Sequence, residues 1–187
     1  AKGYEVLYLT DPIDEWVLGA LDTFDEKPLV SAMKADLSLD EKKADSEDSE
    51  EKTDEPTGFE GLIERFGSVL TERVSEVKLS KRLVDSPACL VVGEGGMHAH
   101  IERLVQATDP TAHIPTTKRI LELNATHPVV TELNGLATDD ARSDELGRWI
   151  ELLYNHCLLA EGSPVTDPAD FANQVSELMV KALTPEA

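Results

Sequence analysis

The sequence predicts an α+β fold: a small three-stranded sheet with helices, ending in a helical hairpin that forms a four-helix bundle across a dimer. Three observations lead to this prediction. Two stretches with helical apolar spacing close the chain, three short strand-like stretches precede them, and the two kinds of stretch alternate in the middle. With 187 residues, the chain can bury a core in one medium domain or two small ones.

The start of the chain predicts a strand, a helix and a second short strand. Tyr4–Thr10 is rich in β-branched, aromatic and leucine residues, Asp11 and Pro12 can cap and open a helix, and Pro28–Met33 is the second strand candidate. A strand this close to the first residue has few neighbours to pair with, which suggests that the sequence begins inside a larger fold.

Residues 36–57 are acidic and contain no aromatic side chain. Low hydrophobicity and like-charge repulsion predict a linker here, with a domain boundary inside it. A calcium or magnesium buffer is the functional alternative, but the ligand and glycine spacing of a calcium loop is missing.

Beyond the linker, helical and strand-like stretches interleave. The predicted elements are a helix over Phe59–Leu70, strands over Val74–Leu83, Ala88–Val92 and Arg119–Leu123, and a helix over Thr126–Leu136 after a turn at Asn124. This order is typical of a small α+β layer.

The end of the chain predicts a helical hairpin. Ser143–Glu161 carries apolar residues alternately four and three apart, and a second helix with the same repeat can begin at Pro168 with Asp167 as its cap. Two hairpins around a two-fold axis would bury the flanking side chains that one hairpin leaves exposed. We therefore predict a homodimer whose interface contains Leu146, Trp149, Ile150, Leu153, Cys157, Phe171, Val175, Leu178, Met179 and Ala182. The alternative is that these stripes dock on the rest of the same chain.

Composition restricts the partners and the compartment. The formal net charge of -20, from 37 acidic and 17 basic residues, would repel a phosphate backbone, so nucleic acid is not an expected partner. No apolar run approaches the roughly 20 residues that cross a bilayer. Cys89 and Cys157 lie in apolar runs and no leader opens the sequence, so we expect a reducing, cytoplasmic location.

Motifs that could support catalysis are incomplete, so we predict no catalytic, cofactor-binding or metal-binding residue. Gly93–Gly96 lacks the lysine and hydroxyl of a phosphate loop, and we expect a flexible joint there. His98 and His100 point to different sides of a helix, and no Pro-Cys-x-x-Cys motif follows His100 and Glu102. The alternative is a thiol-dependent or metal-dependent hydrolase that uses Cys89 and the scattered histidines.

A short helix after the glycine-rich stretch carries an apolar stripe of Met97, Ile101, Leu104 and Val105. If the helix points outward, the stripe is an adhesive patch for irregular partners, since methionine adapts to many shapes. The alternative is that the stripe faces the protein's own core.

Three stretches, in this order and spacing, resemble the C-terminal part of the heat-shock protein 90 chaperone family, most closely its bacterial members. They are Tyr4–Leu7 with Ile13–Trp16, Leu83–Ala88, and Ile120–Asn124 followed by His127 and Pro128. The resemblance implies that residues 1–35 end the middle domain, 36–57 are the acidic linker and 58–187 are the C-terminal dimerisation domain.

The resemblance also implies a function: dimerisation and client contact in an ATP-dependent chaperone that assists the folding of unfolded proteins. The client-contacting residues would be Trp16, Met97, Ile101, Leu104 and Val105, with Val105 in place of the usual aromatic residue. ATP and Mg²⁺ would bind upstream, so this part would hold no cofactor and would not be an ATPase. The sequence ends without a Glu-Glu-Val-Asp tail, so tetratricopeptide co-chaperones are not expected. A plain oligomerisation module without client contact is the alternative.

Overall fold

The fold was described on a computed structural model that covers residues 5–8, 11, 14, 17, 21, 23–32, 57–93, 96, 101–102, 105 and 117–184. Its elements are β1 (Thr23–Phe24), β2 (Lys27–Pro28), α1 (Glu60–Val69), β3 (Val74–Leu79), β4 (Ala88–Val91), β5 (Arg119–Leu123), α2 (Pro128–Ala137), a 3₁₀ turn (Asp140–Arg142), α3 (Ser143–Glu161) and α4 (Pro168–Leu183). The predicted α+β class with a three-stranded sheet is confirmed. No helix among these residues is long and apolar enough to cross a membrane.

The three-stranded sheet has the order β3-β5-β4, with β5 parallel to β3 and antiparallel to β4. All five residues of the central strand are buried. Leu121 pairs with Val77 on one side and with Leu90 on the other. Three of the five residues of β5 are apolar, as expected for a strand that is covered on both faces, and the other two are Arg119 and Glu122.

The core lies between this sheet and helices α1, α2 and α3. Leu62 and Phe66 stand one turn apart on α1 and are fully buried, together with Leu121 on β5, Val130 on α2 and Ile150 on α3. The spacing of four places both α1 side chains on one helix face, so a single stripe anchors the helix.

Asn124 joins two of the three stretches that carry the family resemblance. Its side-chain Nδ2 donates to the backbone oxygens of Val84 and Ser86, both at 3.1 Å, and its Oδ1 accepts from the backbone nitrogen of Thr126 at 3.1 Å. The turn predicted at Asn124 is therefore held by a side chain that also fixes the loop before β4. Helix α2 then begins at Pro128, as predicted within two residues.

The first strand prediction is wrong at the described positions. Glu5–Tyr8 forms no strand, and Leu7 and Tyr8 are 67% and 87% exposed. A strand needs a neighbouring strand for its backbone hydrogen bonds, and no described strand pairs with these residues. The strand predicted over Pro28–Met33 is also wrong: Leu29–Ala32 is not a strand, and Pro28 ends a two-stranded hairpin instead.

Gly96 differs from the flexible joint that the glycine-rich stretch predicts. A Cβ atom at this position would lie 2.5 Å from Cγ1 of Val92 and 2.8 Å from Cγ2 of Thr117. Since such distances are shorter than van der Waals contact, glycine is needed here for close packing.

Candidate functional site

The α3–α4 hairpin is defined by local signals at the turn. α3 ends at Glu161 and is capped by Gly162, whose φ of 80° is left-handed and therefore favours glycine. α4 begins at Pro168, where the Asp167 side chain accepts from the backbone nitrogens of Ala169 and Asp170 at 3.1 and 2.9 Å. The helix bounds, the cap and the turn agree with the sequence prediction.

The inner face of α3 belongs to the core of its own chain. Leu146, Ile150, Leu153 and Cys157 are buried, and α3 packs against β4, α1 and α2. A side chain that is already covered has little surface left for another protomer. The place of these four residues in a dimer interface stays a prediction, and we expect a second protomer to contact the other predicted residues more.

The second group of predicted interface residues lies on the open side of the hairpin. Trp149, Phe171, Val175 and Leu178 are half-buried, and Met179 and Ala182 are exposed. No residue of α4 is buried, although this helix carries apolar residues on more than one side. Met179, Val180 and Leu183 are 59%, 63% and 79% exposed.

A groove runs between α3 and α4 on this open side. It is lined by the apolar residues Trp149, Leu152 and Leu178 and by the charged or polar residues Glu145, Arg148, Gln174, Glu177 and Lys181. Arg148 and Glu177 join the two helices across it, with Nη2 and Oε2 3.0 Å apart. Protein interfaces also combine apolar with charged or polar residues.

The residues predicted to contact clients are only partly described. Ile101, Glu102 and Val105 are helical, in agreement with the predicted short helix; we call these three residues the 101–105 segment. Ile101 is 8% exposed and Val105 is half-buried. Trp16, Met97 and Leu104 lie outside the described residues.

A buried cation connects this segment to the rest of the fold. Nη2 of Arg119 lies 2.9 Å from Oε2 of Glu102, and its Nε lies 3.0 Å from Oε1 of Glu161. Burial alone would lower the pKa of Arg119, but the hydrogen bonds to the two carboxylates raise it above its ordinary value. Arg119 therefore stays charged at any physiological pH.

Sequence reasoning did not find this cluster. Arg119 and Glu122 are charged residues in a strand whose other members are apolar, and such residues are almost never buried without a partner. This rule could have indicated that Arg119 and Glu122 are paired, but it does not identify the residues with which they pair. Glu122 is bonded by Nε of Arg82 and Oγ of Ser80, each at 2.9 Å.

The two thiols are poorly suited to nucleophilic chemistry. Burial, followed by the charge of Glu122, raises the pKa of Cys89. Burial raises the pKa of Cys157 to about 12. A thiol nucleophile needs the opposite shift, because the thiolate is the reactive form. Among the residues that the structure describes, no three His, Cys, Asp or Glu side chains are grouped as a metal site.

Comparison with known proteins identifies the family. A family model described as Hsp90 protein matches residues 1–187. The chaperone protein HtpG of Myxococcus xanthus is 44% identical over 180 residues, which cover 96% of this chain and 27% of that protein. HtpG of Geobacter sulfurreducens is 42% identical over 181 residues, and HtpG of Rhodococcus jostii is 40% identical over 183 residues. The chain thus spans 27% to 28% of the length of these relatives. Since the match extends over the whole sequence, this chain belongs to the Hsp90 protein family.

Proposed function

We propose that this chain is the dimerisation and client-contacting part of an ATP-dependent molecular chaperone of the Hsp90 family. The observation that supports the proposal most is the exposure of apolar residues on α4. A 16-residue helix with no buried residue and with Met179, Val180 and Leu183 exposed packs chiefly against α3 among the described elements, and much of its apolar surface stays uncovered. Helices in proteins owe most of their stability to packing of an apolar face, so α4 needs a further surface to cover it.

A second copy of the same hairpin is the occupant that we propose. Two hairpins related by a two-fold axis would place α3 and α4 of both protomers in a four-helix bundle. Each protomer would contribute the open-side residues of the groove, Trp149, Leu152 and Leu178, and the exposed residues of α4. The ten interface residues predicted from sequence fall into two classes in this proposal. The four buried residues on the inner face of α3 hold this helix on the core of its own chain. The other six residues contact the second protomer.

Dimerisation would bring the distant parts of two protomers close together. Holding two protomers together at one end raises the effective concentration of their distant parts, so that a weak and ATP-gated contact between them can form and reopen. The relatives are about four times longer than this chain, since it covers 27% of the first of them. We place ATP and Mg²⁺ binding in the remaining three quarters.

Client contact is the second part of the proposal. We place it at Ile101 and Val105 of the 101–105 segment, together with Met97, Leu104 and Trp16. Unfolded proteins expose apolar groups of many shapes, and an apolar stripe with methionine can adapt to them with low affinity.

Sedimentation equilibrium of the 187-residue chain tests the dimer. We expect a mass near twice 20.5 kDa for the wild type and near 20.5 kDa for Met179→Asp, because a charge would be buried in the bundle. Asn173→Asp adds the same charge to an exposed position of α4 on a different side of the helix and should remain dimeric. A wild-type monomer at 100 µM, or equal masses for the two variants, would contradict the proposed interface.

A plain oligomerisation module is the second candidate, and the burial of Ile101 favours it. Binding of reduced, carboxymethylated α-lactalbumin separates the two functions, because this probe stays unfolded and its negative charge discourages non-specific attraction to an acidic chain. We expect weak binding that Met97→Asp with Leu104→Asp reduces, while the dimer persists. Equal binding by this double variant, the wild type and Asn173→Asp would favour the plain module.

A further inference from the structure

Arg119 stands at the first position of β5 and connects three parts of the molecule. Its guanidinium lies between Glu102 of the 101–105 segment and Glu161, the last residue of α3. The side chains of the three residues are 8%, 16% and 6% exposed.

The guanidinium divides its donors between the two carboxylates. Nη2 and Nη1 lie 2.9 and 3.4 Å from the oxygens of Glu102, whereas Nε donates to Glu161 at 3.0 Å. Glu102 also accepts from the backbone nitrogen of Thr117 at 3.2 Å, and Ser163 donates to Glu161 at 2.9 Å. Because the two sets use different edges of Arg119, Glu102 can leave while the bonds at the α3–α4 turn remain.

The charges of the cluster explain why Arg119 is needed to keep Glu102 next to Glu161. Two carboxylates face a single cation, so the cluster has a net charge of one negative unit. Without the cation, two like charges would remain in a mostly buried space, and their repulsion would act to separate Glu102 from Glu161. Glu161 is the last residue of α3, whose inner face is buried in the core, so separation of the two carboxylates would displace Glu102 rather than this helix.

We propose that Arg119 is a positioning residue that holds the 101–105 segment against the sheet, and that release of Glu102 from it exposes Ile101 to clients. This inference deepens the proposed client contact and rests on it for the role of the released segment. We call the bonds between Arg119 and Glu102 the latch. Their geometry does not depend on the proposed client contact. Release leaves the dimerisation hairpin in place, so client access can change without dissociation.

Amide hydrogen exchange of peptides that contain residues 101–105 tests the latch in the 187-residue chain. We expect exchange at least about tenfold faster in Arg119→Met and in Glu102→Ala, because charge-assisted hydrogen bonds are lost. Arg73→Met is the matched control. Arg73 is also an arginine that pairs with a carboxylate of α3, Glu151, but it does not touch the segment. It should leave this exchange unchanged.

A rescue experiment separates positioning from general support of the fold. Arg119→Met combined with Glu102→Gln and Glu161→Gln removes the repulsion but does not restore the lost bonds, so exchange should be slower than in Arg119→Met and still faster than in the wild type. Unchanged exchange in Glu102→Ala, or exchange at the wild-type rate in Arg119→Met, would overturn the latch.

Binding of carboxymethylated α-lactalbumin then tests the role of the segment separately. We expect Glu102→Ala to bind this probe several-fold more tightly than the wild type, because Ile101 is exposed more often. Faster exchange supports the latch whatever the binding result. Faster exchange without tighter binding would refute client contact at Ile101 and leave the latch standing.

Discussion

α3 and α4 have the same type of apolar repeat but occupy opposite environments. α3 buries Leu146, Ile150 and Cys157 in the core of its own chain, whereas α4 has no buried residue. Position in the fold makes the difference, since α3 lies against β4, α1 and α2 and α4 contacts chiefly α3 among the described elements. Equal periodicity therefore does not mean equal burial: one repeat lies in the core of the chain, and the other stays open.

The largest expected effect is a difference in unfolding free energy between a variant of α3 and a variant of α4. Ile150→Ala should lower the free energy of unfolding by about 2–5 kcal/mol, because it leaves a cavity in the core. Met179→Ala should change it by less than about 0.5 kcal/mol at concentrations that keep the chain monomeric, because Met179 is exposed there. Urea unfolding at several protein concentrations measures both. Similar losses for the two variants in the monomer would show that α4 is part of the protomer core.

The pH dependence of stability tests the buried face of α3. The pKa of Cys157 rises from 9.0 to about 12 on burial, so the folded chain keeps this proton above pH 9 while the unfolded chain releases it. The stabilising contribution is complete below pH 9 and is lost as the pH rises toward 12, at about 1.4 kcal/mol per pH unit.

The control for this effect is Cys157→Ala. Its unfolding free energy should fall less steeply between pH 9 and pH 11 than that of the wild type. Other groups that titrate in this range are the same in both proteins, so the difference in slope isolates Cys157. Equal slopes would mean that Cys157 is accessible to water, and that the inner face of α3 is open.

The smallest effect concerns the start of α4. Asp167→Ala removes the side chain that accepts from Ala169 and Asp170, and it should destabilise this helix by about 1 kcal/mol. Since α4 lacks core contacts, we expect local fraying: amide exchange about fivefold faster in α4 and unchanged in α3. Asp167→Asn keeps a side-chain oxygen that accepts these hydrogen bonds. The stability of α4 in this variant should lie within a few tenths of a kcal/mol of the wild type, and its amide exchange should be nearly unchanged. Faster exchange in both helices would indicate that the hairpin opens as one unit.

Local signals made much of the fold predictable. The bounds of α3 and α4 agree with the sequence, because Gly162, Asp167 and Pro168 act on the backbone beside them. The strand at 119–123 was also predicted, since Ile120, Leu121 and Leu123 are apolar residues typical of a buried strand. The strand predicted at Tyr4–Thr10 failed where it is described, because strand propensity does not supply a neighbouring strand.

The sequence by itself determined the α+β class, the helical hairpin and, through three short motifs, the family to which the chain belongs. Only the tertiary structure decided which apolar stripe is buried and which is open, and which carboxylates Arg119 binds. Periodicity and capping are interactions between residues a few positions apart, so they can be read from the sequence. Burial and ion pairing depend on residues far apart in the sequence, such as Glu102, Arg119 and Glu161, and only the folded chain brings these together.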